Sequence, residues 1–192
     1  MNFPLDIDKQ SEPSKGMLLL SEPFLQDEHF SRSVILLCEH NEEGSFGFIL
    51  NSSIDVDIND LIHDFPGANV KIGIGGPVEK NQLFYIHSHE NIEGSLKVSE
   101  GIFMGGDFNA LSLVLEKGTI TSDSLRFFIG YTGWSENQLQ TEINEKTWVV
   151  LEKPSSLNVF HTEDELLWKE LIQTKGPKYK LMSEFPVNPS DN

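Results

Sequence analysis

The sequence predicts an α+β fold: a mixed, largely antiparallel sheet of about seven strands, curled into a partly closed barrel with helices packed outside. Three observations predict it. Short apolar runs occur before, between and after a few helix-patterned segments, without regular strand-helix alternation. Ser33 to Glu39 and Ser45 to Leu50 flank the turn Asn41 to Gly44, which reads as an antiparallel hairpin with its glycine in the turn. Several runs have few polar interruptions, so both faces of the sheet are expected to be covered.

Taken in order, residues 1–15 are polar and read as a flexible arm. Gly16 to Leu20 is the first strand, closed by Pro23, and the hairpin follows. Asn59 to Asp64 has the length of a single helical turn. Val70 to Ile74, Gln82 to Ile86 and Ile102 to Met104 are further strands. Asp107 is placed to cap a helix carrying Phe108, Leu111 and Leu115 on one stripe, ended by Gly118. Ser124 to Tyr131 is a buried strand, and Ser135 with Gln138 has capping-box spacing for the helix after it. Thr147 to Leu151 is the last strand. Thr162 with Glu165 marks a second capping box, and its helix stops at Gly176 and Pro177. One domain is expected over residues 16–176, with 177–192 a C-terminal extension whose Pro-, Asn- and Ser-rich part after Lys180 reads as a tail laid on the surface.

Composition excludes several function classes. The 192 residues carry 14 Lys and Arg against 30 Asp and Glu, a formal net charge of −16. Duplex binding draws its affinity from phosphate neutralisation, so direct nucleic-acid contact is disfavoured. Lys175, Lys178 and Lys180 form the only basic cluster and read as a solvated helix end. No apolar run reaches membrane-spanning length and the N-terminus lacks a signal pattern, so a cytoplasmic protein without membrane contact is expected. Cys38 is the single cysteine and allows no internal disulfide. The only arginines, Arg32 and Arg126, are the side chains best suited to grip a carboxylate or phosphate at two points.

Most chemistry motifs fail on inspection. Gly73 to Val78 lacks the third glycine of a dinucleotide fingerprint and leads to a turn and a strand. It remains either a structural turn or a loop that a ligand approaches. Asp55 to Pro66 opens like a calcium loop but has Asp60 where glycine is needed and Pro66 where glutamate is needed. His87 and His89 share a strand face as metal ligands could, yet no third ligand is fixed beside them, so no metal and no cofactor are assigned. Cys38 and His40 also share a face. The bland reading is a small core thiol; the alternative is a hydrolase- or transferase-like site using Ser33, Cys38 or His40. Gln138 and Glu142 lie one helical turn apart, as a solvated stripe would.

Gly16 to Leu20, Phe30 to Val34, Cys38 to Asn41, Gly47 to Asn51, Gly75 to Val78 and Gly130 to Trp134 follow one another in a distinctive order. With Gln138 and Glu142 after them, they resemble the bacterial YqgE/AlgH family across roughly residues 16–175. The resemblance implies a single domain with a barrel-like mixed sheet, in a cytosolic bacterial protein of a family labelled as a transcriptional regulator. Matched position by position, it points to Arg32, Ser33, His40, Asn51, Gly75, Gly76 and Pro77 as site residues. His87, Tyr131, Trp134, Gln138 and Glu142 complete the set, while Phe30, Gly47 and Gly130 also match. His89 lies outside the pattern. Ser52 and Ser53 stand where the family usually has a basic residue or proline, and Phe103 to Asp107 replaces a segment rich in serine and threonine.

The function expected is a non-enzymatic intracellular binding or regulatory protein, working through a protein partner or a small anionic ligand. Arg32, His40, Asn51, Tyr131 and Trp134 are expected to gather beside the Gly75 to Pro77 turn. Tyr131 and Trp134 suit a core rim as well as a ligand.

Overall fold

The computed structural model describes residues 11–66, 69–155 and 157–187. Its strands are β1 (Leu18–Ser21), β2 (Val34–Asn41), β3 (Gly44–Ile49), β4 (Ser53–Ile54), β5 (Lys71–Ile74), β6 (Val78–His87), β7 (Leu96–Ser99), β8 (Ile102–Met104), β9 (Leu125–Ser135) and β10 (Trp148–Leu151). The helices are α1 (Ile58–Leu61), α2 (Phe108–Glu116), α3 (Gln138–Asn144), α4 (Asp164–Gln173) and α5 (Pro177–Met182), with a 3-10 turn at Ser122–Ser124.

One ten-stranded sheet runs in the order β10-β1-β2-β3-β9-β6-β8-β7, with β5 parallel to β9 and β4 antiparallel to β5. The path ends on β10 and β7, and among the described residues no ladder joins them. The expected partly closed barrel of about seven strands is therefore an open sheet with more strands. Two-residue β4 and the half-exposed β7 carry too little apolar pattern to be read locally.

The eleven residues of β9 tie the sheet together. Its first half lies between β5 and β6, its second half pairs with β3, and β6 throws out a bulge between Val78 and Leu83 where the two halves meet. Gly75 and Gly76 fill that fork. The Gly75 N–H donates to Ile129 O, and its carbonyl accepts from the Ile49 N–H and the Thr132 hydroxyl. A Cβ on Gly76 would lie 2.3 Å from the Tyr131 carbonyl, so the approach demands glycine.

Alternation along β1 and β2 explains their unbroken apolar runs. Leu18, Leu20 and Leu36 join Phe48, Ile86, Val98 and Phe128 in one core cluster with Leu167, Trp168, Leu171 and Ile172 of α4. Leu19, Ile35 and Leu37 point the other way, into a layer with Ile49, Trp134, Trp148 and Leu139 of α3. A third cluster around Phe127, Ile72 and Leu111 lies under α2. Each fully buried leucine or isoleucine contributes roughly 1.5–3 kcal/mol of transfer free energy.

Helix starts follow the expected caps unevenly. Asp107 accepts from the Ala110 N–H and caps α2 as its position predicts. Thr162 does not cap α4, because its hydroxyl turns inward and donates to Leu50 O. Ser135 is the last residue of β9; Gln138 Oε1 accepts from its N–H and hydroxyl, and α3 starts only at Gln138.

The start of the C-terminal extension is structured. Pro177 opens α5, Tyr179 packs against the core, and Phe185 O accepts from Arg32. Residues 1–10 of the expected arm and 188–192 of the extension lie outside the described residues, while Pro13 is buried.

Candidate functional site

Two hollows flank the second half of β9, and Gly133 and Trp134 border both. The first, about 460 Å³, lies at the end of the β2–β3 hairpin between Phe46, Val78 and Tyr131, with Glu39 and Glu43 at its rim. The Phe46 and Tyr131 rings lie against each other at 4.6 Å between centroids. The second, about 270 Å³, lies between the loop carrying Asp27 and Phe30 and the α3 residues Gln138 and Glu142. Among the described residues no Lys or Arg lines either hollow, and every charged lining residue is a carboxylate.

The second hollow is built on one carboxylate. Glu142 Oε2 accepts from the indole N–H of Trp134 at 2.8 Å and of Trp148 at 2.7 Å, while Oε1 accepts from Gln138 at 2.9 Å. The two indoles meet edge to face at 5.8 Å, and Phe30 sits edge-on to Trp148 at 5.5 Å. Trp134 is only 6% exposed, so its ring is mostly scaffold and only its edge meets the hollows. Behind the first hollow, His40 Nδ1 lies 2.7 Å from the Ser45 hydroxyl, and Ser45 faces Trp134 across β3 and β9.

The other expected residues lie elsewhere. Arg32 precedes β2 and His40 stands near its far end, on the order of 25 Å away at the rise of an extended chain. Arg32 stacks on Trp168 at 5.1 Å and donates to Phe185 O. Asn51 clamps the start of β2, accepting from the Val34 N–H and donating to Arg32 O. The shared hollow expected for Arg32, Asn51, His40, Tyr131 and Trp134 is therefore divided: Tyr131 and Trp134 border the first hollow, His40 reaches it only through Ser45, and Arg32 and Asn51 stand together near the other end of β2. Gly75 and Gly76 serve the β9 fork, with Pro77 after them. Ser33 is buried, and its hydroxyl has no partner among the described residues.

Cys38 is buried, which pushes its thiol far above the ordinary range and holds it protonated. His87 is fully buried: its Nε2–H donates to Gly105 O at 2.9 Å and its Nδ1 accepts from the His89 N–H. Both ring nitrogens are thus used. Burial holds His87 below its ordinary value, against the opposing effect of the Gly105 bond. Among the described residues no group of three or more His, Cys, Asp or Glu is placed to hold a metal.

Sequence reasoning missed the buried Arg126 network. Arg126 donates to Val159 O, Thr162 Oγ1, Leu50 O and Ser53 Oγ, and stacks over Phe128 at 5.0 Å. Burial brings its guanidinium down to about 10, although Asp164 opposes this. Asp164 pairs with Lys71 at 3.0 Å. Burial raises the Asp164 carboxyl, but hydrogen bonds from Ser53 and Lys71 outweigh it and hold the group below the ordinary range. The network fastens the approach to α4 onto the sheet. A lone arginine in an apolar strand was the available signal. Glu39, Glu43 and Phe46, which border the first hollow, carry no spacing that marks them.

The model of a family described as AlgH-like matches residues 18–180. This chain belongs to the AlgH-like family. Among its relatives, a UPF0301 protein of Bacteroides thetaiotaomicron is 39% identical, with 100% of both chains covered. A UPF0301 protein of Chlorobaculum tepidum is 38% identical over 92% of this chain and 95% of its own. Two solved structures share the fold, each at 24% identity. Protein DIP2367 of Corynebacterium diphtheriae gives a TM-score of 0.70, covering 92% of this chain and 95% of that one. The AlgH protein of Pseudomonas aeruginosa gives 0.68, covering 93% and 98%. No described helix of this AlgH-like chain is long and apolar enough to cross a membrane.

Proposed function

We propose that this AlgH-like protein is a non-enzymatic, cytoplasmic regulator that grips a protein or small ligand at the hollows beside β9 and does not read DNA itself. The observation that carries this reading is the convergence of four separate stretches on exposed Gly133. The loop at Asp27 and Phe30, the β2–β3 hairpin, the end of β9 and α3 together border the two hollows. A concave surface that gathers distant segments is the usual form of a binding site. Acidic linings and a net charge of −16 argue against phosphate-rich partners. They also favour a cationic ligand over the small anion expected beside Arg32, which is already engaged by Phe185 O. Ser33 and His40 stand near opposite ends of β2 and Cys38 stays protonated, so the catalytic alternative gains no support from their placement.

Titration of labelled protein with cationic, neutral and anionic fragments, followed by amide shifts, tests the reading. Shifts are expected to concentrate on residues 39–46 and 131–142. Sequence-selective retardation of duplex DNA in a gel, with a steep salt dependence, would overturn it.

A further inference from the structure

The first hollow combines three features that recognition of an extended cationic segment requires. One is an unpaired strand edge. The N–H and C=O of one strand residue point to the same side, and successive residues alternate. The Ser135 N–H donates to Gln138 Oε1 at 3.0 Å, so it faces away from β3. The Trp134 carbonyl faces β3, since a Cβ on Gly44 would stand 2.4 Å from it. Gly133, two residues before Ser135, therefore also turns its N–H and C=O away from β3. On that side the last strand partner is Val78, opposite Tyr131. Gly133 is exposed, and it has no ladder partner on that edge among the described residues.

The second feature is the aromatic floor of Phe46 and Tyr131, both half-buried with part of their surface open. The third is the rim, where Glu39 and Glu43 are exposed and, among the described residues, no lining residue is basic. An aromatic face beneath a pair of carboxylates favours an ammonium or guanidinium group. A free edge beside it supplies main-chain pairing, as in peptide recognition by strand addition.

The geometry points to this hollow as the docking site for an extended peptide segment of a partner protein. The segment pairs with β9 at Gly133 and places a Lys or Arg side chain over Tyr131 and Phe46, between Glu39 and Glu43. This rests on the regulatory reading above and names its partner chemistry. Alternation along the docked strand sends every second side chain toward the rings, so the recognised pattern is a basic residue flanked by residues that face solvent or the edge of β6.

The test is calorimetric titration of the full chain with a capped pentapeptide of alternating valine and lysine. Saturable one-to-one binding is expected. Affinity should fall about tenfold or more with Glu39→Gln and Glu43→Gln together, with Tyr131→Leu, and with a peptide N-methylated at its central amides. The pair Glu93→Gln and Glu116→Gln, which removes equal charge away from the hollow, should leave it unchanged. No saturable binding, an equal loss in the control pair, or indifference to N-methylation would overturn the proposal. Spermidine binding as tightly as the peptide would also overturn it, by showing a small-amine site. Fragment shifts at residues 131–142 alongside peptide failure would sink this inference and leave the regulatory reading standing.

Discussion

Glu142 accepts two indole N–H groups on one carboxylate oxygen and a glutamine amide on the other, so Trp134, Trp148 and Gln138 share a single anchor. Bonds to a charged acceptor are each worth about 1.5–3 kcal/mol, and the donors left behind would be mostly buried. Glu142→Ala should therefore lower stability by about 3 kcal/mol or more in urea and red-shift tryptophan emission, while Glu142→Gln, which keeps an acceptor, should lose less. An unmoved urea midpoint would show that the indoles are held by packing alone. His87 sets a pH dependence of the opposite kind to a salt-bridged histidine. Its folded value lies below the ordinary 6.5, so as pH falls the unfolded chain takes up the proton first. The stability His87 contributes is complete above about 6.5, declines as pH falls below it and levels off beneath the folded value. His87→Phe, which keeps a ring against Phe103 but cannot take up a proton, should flatten melting temperature against pH between about 7.5 and 5 relative to wild type.

At the scale of elements, the fork in β9 depends on close backbone approach. Gly76 has φ +156°, and its Cβ position lies within 2.4 Å of Tyr131 and Thr132 atoms; Gly101 has φ +68° but open space around it. Gly101→Ala is expected to cost about 1 kcal/mol through backbone strain alone. Gly76→Ala should cost well over twice that, because Tyr131 backbone must move, and in a two-variant comparison of urea midpoints equal losses would contradict the fork. The capping boxes teach a related lesson. Thr162 and Ser135 both have the spacing to start a helix, yet Thr162 is drawn to Arg126 and Leu50 and Ser135 is held in a ladder opposite Gly44. A cap is a local preference worth about 1 kcal/mol, and a buried guanidinium or a sheet register outweighs it.

For the whole molecule, the net charge of −16 means that self-repulsion opposes compaction. Raising NaCl from about 20 to 300 mM shortens the Debye length from about 20 Å to below 6 Å, and the melting temperature should rise. A fall would mean that the exposed pairs Lys97–Glu100 and Lys169–Glu184 outweigh the repulsion. Apolar alternation, turn glycines and charge are local properties. They were enough to read eight of the strands, the hairpin and the α2 cap, and motif order was enough for the AlgH-like family. They could not tell that Arg32 and Asn51 stand apart from His40, Tyr131 and Trp134, because residues at the two ends of an extended β2 separate by about 3.3 Å per position. Nor could they place Glu39, Glu43 and Phe46 around Gly133. That grouping exists only because β9 leaves one half of the sheet and enters the other, and a crossing between strands is set by side chains packing across the core, which local pattern does not encode.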